Sequence, residues 1–330
     1  MTYTAGSEIL AADYNTFAGN TTAGLNRVWS TGAGDAGWGQ TDIATVAAAG
    51  TVTATNWATL VNNLATTGTQ TGTTLTSRTA PVTGNVISIL ANVSTDITSV
   101  TTARGNAIAS GTEYGVFTGN VSKTTATGSG QAAWTITFTH TVTFPSANQA
   151  RYFWNAGGIV RLKYGKTSTG TDADADWNQL AGWCGSVNLT GRVNSNSQTI
   201  AGQVYTGSTR IGGTGGTLTP GQTTTGWYDL TVTPATIFQL NDTVSPYTTN
   251  FIRSNATATS STVLTLTTVW SDDGTAVVGA NANITGGTAT TSPSTTITGT
   301  APTVLVTYIP PSSATLTNSW GTPTIAASVA

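Results

Sequence analysis

The side chains that could do chemistry are few and scattered. His140 is the sole histidine, Cys184 the sole cysteine, and Glu8 and Glu113 are the two glutamates. A nucleophile–base–acid triad would need His140 beside a serine and an acid, and serine is too frequent here to nominate one. His140 also takes an inward slot of an alternating strand, where a packing histidine is expected. Cys184, in Gly182-Trp183-Cys184-Gly185, reads as a buried inert thiol. One cysteine excludes an intrachain disulfide, and one His with one Cys cannot build a His/Cys metal cluster. Asp172, Asp174 and Asp176 alternate like the first ligands of a calcium loop. Trp177 stands where that loop needs glycine, and no Glu follows at the twelfth position. A solvated acidic loop is expected, or a short helical turn beginning at Asp176, Trp177 and Leu180. Paired-carboxylate glycoside hydrolysis would fall on Asp229, Asp242, Asp272 or Asp273, and spacing pairs none of them. The run Gly32–Gln40 has no Lys-Ser or Lys-Thr after it, so it does not read as a phosphate loop. Its glycines would let the chain wrap around Trp38 at positive φ. No catalytic, cofactor-binding or metal-binding residue is nominated, no cofactor is expected, and the chain reads as non-enzymatic.

Composition sharpens this. Charged residues are 7% of 330, against about 25% in an ordinary soluble domain. A net charge of -2 gives no attraction for nucleic acid or an anionic membrane. Ten Trp and long Val/Ile runs argue against disorder. No window reaches the roughly 20 apolar residues of a membrane span, and Met1-Thr2-Tyr3-Thr4 does not open a secretion signal. A hydroxyl-rich surface made in a host cytoplasm without a signal peptide fits a particle-borne protein.

The elements that must carry these residues follow from periodicity. From Trp134 to Phe144 apolar residues fall on even positions, broken only by His140, which is a half-buried strand. Arg151–Trp154 then meets Gly157-Gly158, and a second strand runs from Ile159 to Tyr164. Val187–Val193, Thr199–Tyr205, Gly226–Thr233, Thr262–Trp270 and Thr303–Ile309 read as further strands between Gly-rich turns. The predicted fold is mainly β, with a C-terminal antiparallel β-sandwich preceded by a small helical N-terminal region. Residues 1–110 form that helical region, 111–130 a linker, 131–310 the sandwich and 311–330 a tail. Within the first region, 9–20 repeats as 52–63, each an amphipathic helix, with Thr53 a cap and Trp57, Leu60 and Leu64 on one face. Val86, Leu90, Val93, Ile97 and Val100 make a heptad seam in a helix over about 85–108. The seam either lies on its own domain or joins copies of the chain as an oligomer interface.

These pieces, in this order, resemble virion structural proteins of tailed phages, particularly T4-like phages of cyanobacteria and marine bacteria. The resemblance rests on Ile9–Asn20, the Gly-x-Gly-Asp-x-Gly-aromatic-Gly-Gln run at Gly32–Gln40, and Val52–Asn63. It continues through Trp154-Asn155-Ala156-Gly157-Gly158-Ile159-Val160-Arg161, Gly226-Trp227-Tyr228-Asp229-Leu230-Thr231, Tyr247–Asn250 and Val263–Gly274. The chain departs from the pattern at Gly68-Thr69-Gln70-Thr71-Gly72, where the family has His-Gln-Thr-Gly, and it is shorter and poorer in charge. The resemblance implies a structural part of the tail, neck or fibre apparatus, acting in particle assembly and host attachment, with no chemistry.

The expected protein is a virion component that assembles as a homotrimer with other virion proteins. The alternatives are a head-decorating fibre, or a receptor-recognition module whose Trp227 and Trp270 would contact host surface glycan. A polysaccharide-degrading spike is the least supported.

Overall fold

The computed structural model describes residues 10–21, 23–32, 34, 36–84, 92–114, 121–122, 127–128, 134–168, 172–191, 197–218, 224–244, 247–272 and 301–330. The chain is mainly β: an antiparallel sandwich preceded by a small helical region. Both copies of the sequence repeat form helices, α1 (Ala11–Ala18) and α3 (Ala54–Thr71), with the short α2 (Asn26–Trp29) after the first. α3 starts where Thr53 accepts from the Asn56 amide at 3.3 Å while Asn56 Oδ1 accepts from the Thr53 amide at 2.9 Å. This reciprocal cap satisfies two otherwise orphaned donors. The helix stops at Gly72, whose φ of 65° suits a residue without Cβ. The matched aromatics of the repeat meet: Tyr14 lies edge-on to Trp57 at 5.5 Å, and Phe17 stands 6.2 Å from the same ring.

Helix α4 (Val93–Thr102) packs on α1 and α3 through the inward residues Val93, Ile97 and Val100. On its outer side Thr98, Ser99 and Thr102 donate to carbonyls one turn back, so a Ser/Thr-rich helix keeps its hydroxyls satisfied. The seam therefore takes the first of its two readings, a helix lying on its own chain. Val86 and Leu90 lie outside the described residues.

In the sandwich, β4 (Trp134–Thr143) pairs with β13 (Val263–Asp272) on one side, and with β15 (Thr324–Val329) and the two-residue β3 (Thr127–Gly128) on the other. β12 (Phe251–Ser260), β11 (Ala235–Asn241) and β10 (Thr217–Leu218) extend this sheet beyond β13. The facing sheet has the order β2 (Val121–Ser122), β14 (Thr303–Ile309), β5 (Ile159–Gly165), β6 (Ser186–Leu189) and β9 (Ser208–Ile211). A small third sheet joins β1 (Asn106–Ala107), β7 (Gln198–Ile200) and β8 (Gln203–Tyr205). The even residues Ile136, Phe138, His140 and Val142 of β4 are all buried, as the period of two requires. Each buried side chain of this size contributes about 1.5–3 kcal/mol. One hydrophobic cluster runs from Tyr14 through the sandwich to Ile325, so the helices and both sheets share a core.

Several expectations are corrected. Residues 147–155 form helix α5 (Ala147–Asn155), because Ser146 caps it by accepting from the Gln149 amide at 3.2 Å. Asp172–Cys184 is helix α6, not an acidic loop. Gly226–Thr233 is a single 3₁₀ turn, and the strand lies just after it, in β11. Thr199–Tyr205 breaks into β7 and β8 at Ala201-Gly202, both at positive φ. Residues 311–330 are no tail, since β15 completes the sheet beside β4. Within the expected linker, Tyr114 bridges to Tyr308, and β2 pairs with β14.

Gly157 has φ +96°, and a Cβ there would lie 2.5 Å from that of Ala107. Gly157→Ala is expected to cost about 1–3 kcal/mol in denaturant unfolding, from strain and overlap together. Gly182→Ala, exposed within α6 and with open space around it, should instead stabilise by up to about 1 kcal/mol. Equal effects at the two positions would contradict this account.

Candidate functional site

Among the described residues, His140, Cys184 and Glu113 lie apart, and only Asp176 and Asp242 are brought together. His140 is 0% exposed, in the middle of β4 beneath β14. Burial lowers its pKa from 6.5 to about 4 against an opposing hydrogen bond with the Val304 backbone, so the ring stays neutral at ordinary pH. Cys184 is fully buried at the end of α6, and burial pushes its thiol up, away from the reactive thiolate. Glu113 sits on the outer side of the β14–β5 pair, accepting from Lys163 at 2.7 Å, from Thr307 and from Arg161. Burial acts to raise its pKa, but these hydrogen bonds and the two cations outweigh it and hold the carboxyl below its ordinary range. That cluster ties the 109–114 segment to the sheet.

Asp176 departs most from its expected place. It is 6% exposed and faces Asp242, itself 2% exposed, in the turn after β11. Asp242 is held by its Oδ1, which accepts from the Val244 amide at 2.7 Å. Burial, then the neighbouring carboxyl, raise Asp176 to about 8, so one member of the pair keeps a proton at neutral pH. Among the described residues, no three His, Cys, Asp or Glu side chains gather as metal ligands would. No helix among them is long and apolar enough to cross a membrane.

The two tryptophans proposed for sugar contact are unavailable for it. Trp270 is 0% exposed and stacked on Trp177 at 5.7 Å. Trp227 is 8% exposed and stacked on Trp154 at 5.5 Å. Both have their faces committed to neighbouring rings, which is the correction to that assignment. The oligomer-interface residues Val93, Ile97 and Val100 are likewise consumed inside the chain.

The structure does assemble a site that sequence reasoning missed, centred on Asn155. Its Nδ2 donates to the Gly37 carbonyl at 2.9 Å, its Oδ1 accepts from Tyr228 Oη at 2.5 Å, and its carbonyl accepts from Trp38 Nε1 at 3.2 Å. Trp38 is held from the other side as well. Ser319 Oγ donates to the Trp38 carbonyl at 2.5 Å, and Gln40 exchanges hydrogen bonds with the Thr317 backbone, both at 2.9 Å. The glycines of the run are needed here: Gly32, Gly34 and Gly39 have positive φ, and Gly32 and Gly37 touch backbone to backbone. Arg151 closes the loop by donating to the Thr31 and Gly34 carbonyls at 2.8 and 3.3 Å. Beneath, Phe144, Phe153, Trp154 and Trp227 pack with centroids 5.0–6.0 Å apart. This arrangement joins distant segments through hydrogen bonds and stacked rings. Ser146-x-x-Gln149 was the readable signal for the helix that presents Asn155.

Compared with protein families, curated proteins and solved structures, the chain shows no match.

Two predictions follow from these environments. Asn155→Ala removes the side-chain partner of the buried Gly37 carbonyl and the bond to Tyr228, and should cost about 1–3 kcal/mol in urea unfolding. Tyr228→Phe, which strands only one acceptor, should cost about half as much. The second concerns pH. Unfolding frees His140 to protonate below 6.5, so its contribution to stability is present above that pH and lost as pH falls towards 4. The raised pKa of Asp176 works oppositely: its contribution is present below about 3.8 and lost as pH rises through about 8. The two slopes cancel between about 4 and 6.5, leaving a plateau, followed by a fall of about 1.4 kcal/mol per unit towards pH 8. Asp176→Asn should abolish that fall and leave stability rising from pH 4 to 6.5; persistence of the alkaline fall would assign it to another group.

Proposed function

We infer that the chain is a non-enzymatic structural protein of a tailed-phage particle, belonging to the tail, neck or fibre apparatus and assembling with copies of itself and other virion proteins. The observation that supports this reading is where the resemblance motifs go. Gly32–Gln40, the Trp154-Asn155 segment and Trp227-Tyr228 lie far apart in sequence, yet each supplies a hydrogen bond or a stacked ring to the Asn155 site. A shared motif set that forms one internal joint fits a family held together by architecture. The second support is the surface: charged residues are 7% of the chain, and Ser/Thr hydroxyls stand in their place, which suits permanent contacts insensitive to salt. Self-association uses a surface other than the α4 seam, whose described residues are already buried.

Gold-labelled antibody against this chain, applied to intact phage particles that carry it, tests the assignment by electron microscopy. Label at the neck, baseplate or fibres is the expected result. Uniform label over the head makes it a decoration protein, and the absence of label from all particles overturns the virion reading.

A further inference from the structure

The outer edge of β15 is built like an interface. The Thr137 and Ala330 backbones exchange both hydrogen bonds, at 3.0 and 2.8 Å. Antiparallel alternation from that pair, in the unbroken register of β15 on β4, assigns the inward-bonding groups to Ser328, Ala326 and Thr324. The N–H and C=O groups of Ile325, Ala327 and Val329 therefore point away from β4. Among the described residues no strand pairs with them.

Sheet edges in isolated proteins are commonly guarded by charge, proline, a bulge or brevity. The other edges of the two large sheets follow that rule among the described residues. β10 and β2 are two residues long, and β9 is four residues long and carries Arg210. β15 has six residues, Thr-Ile-Ala-Ala-Ser-Val, with no charge, proline or register break. Its core-facing side is also incompletely covered. Ile325 is buried opposite Val142, but Ala327 and Val329, opposite His140 and Phe138, are only partly buried. On that side β2 of the facing sheet lies alongside β15, and among the described residues no strand continues the β15 sheet.

We propose that this edge pairs, antiparallel and two-fold, with β15 of a second copy of the chain. The sequence is self-complementary for that arrangement. Centring the two-fold axis on Ala327 sets it against Ala327 of the second copy and Ile325 against Val329 of the second copy. On the core side, the large apolar residue of each strand then covers the partly open position of the other. On the opposite face Ala326 meets Ser328, both small and uncharged, and Thr324 meets Ala330. No like charges oppose one another, the outward backbone groups are paired in full, and the contact closes at two copies because it is isologous. Such pairing joins the two sheets into one continuous sheet across the axis. It does not rest on the virion reading and is tested on the purified chain.

Sedimentation equilibrium over a concentration series from micromolar to sub-millimolar should show the mass rising from 33.5 kDa towards twice that value. Ala327→Pro removes an amide that points away from β4, a change edge strands tolerate. It should hold the chain at one copy, melting as the wild type does at concentrations where the wild type is single, whereas Ala326→Pro removes a β4 hydrogen bond and should melt below that. Hydrogen exchange provides a second reading without any substitution: amides 325, 327 and 329 should become protected only at concentrations where the mass doubles. A chain that stays single throughout, an Ala327→Pro variant that associates like wild type, or protection of those three amides in the single-copy state would each overturn the proposal.

Discussion

One amide side chain carries much of the long-range order of this fold. Asn155 lies at the end of a nine-residue helix, and two distant segments, Gly37-Trp38 and the turn that carries Tyr228, converge on it. The constraint behind this is that buried backbone groups must be paired. The stretch from residue 36 to 46 has no secondary structure; the Trp38, Gly39 and Gln40 amides donate to the Val28, Ser30 and Trp29 carbonyls, and beyond them side chains take over. Asn26 makes both hydrogen bonds of the Ile43 backbone, at 2.9 Å each. Asn15 does the same for Val46, at 2.7 and 2.8 Å. Trp29 Nε1 and Tyr14 Oη donate to the Thr41 and Ala44 carbonyls at 2.9 and 3.1 Å. Carboxamides thus imitate a neighbouring strand, Asn15 from the first helix of the sequence repeat and Asn26 from the short α2 that follows it.

That solution explains how a core can be assembled with so little charge. Buried ion pairs cost desolvation that their attraction only partly returns, whereas an amide facing a peptide meets a partner of matching polarity. The chain has one well-buried ion pair among its described residues, Arg78 with Asp96 at 2.5 Å. It fastens the segment after α3 onto α4, with the Thr76 amide sharing the same carboxylate at 3.1 Å. Elsewhere the joints are neutral, including Tyr164 with Ser254 between the sandwich layers and Ser254 with Thr268 across neighbouring strands, each at 2.8 Å. Screening by salt leaves such contacts almost untouched.

How much could be read in advance depended on whether the governing contacts were local. The β4 strand, the paired helices, the Thr53 cap and the Gly-rich wrap around Trp38 were legible because periodicity and capping act within a few residues. Helix α5 was not foreseen: Tyr152, Phe153 and Trp154 favour strands, and only the capping pair Ser146 and Gln149 signals a helix. The strands Ala235–Asn241 and Phe251–Ser260 were missed because Gln239, Arg253 and Asn255 interrupt the apolar pattern on their outer positions. Their inward residues, Ile237, Phe238, Leu240, Ile252 and Ala256, are buried. Trp227 and Trp270 were assigned outward because a tryptophan in a turn-rich stretch gives no sign of the ring that will cover it. The Asn155 site was invisible for the same reason: its partners are set by topology alone.

His140 shows how these levels combine. In a strand whose other inward residues are Ile136, Phe138 and Val142, it is the one polar intrusion, and it faces Ala327 on β15. A small partner there leaves room for an imidazole, and the Val304 backbone of the opposing sheet supplies its hydrogen bond. The ring therefore links β4 to β14 across the sandwich at a point where β15 has surrendered volume. The last strand in the sequence is thus matched in size to a residue near the middle of the chain, and helices, sheets and C-terminal strand share one core.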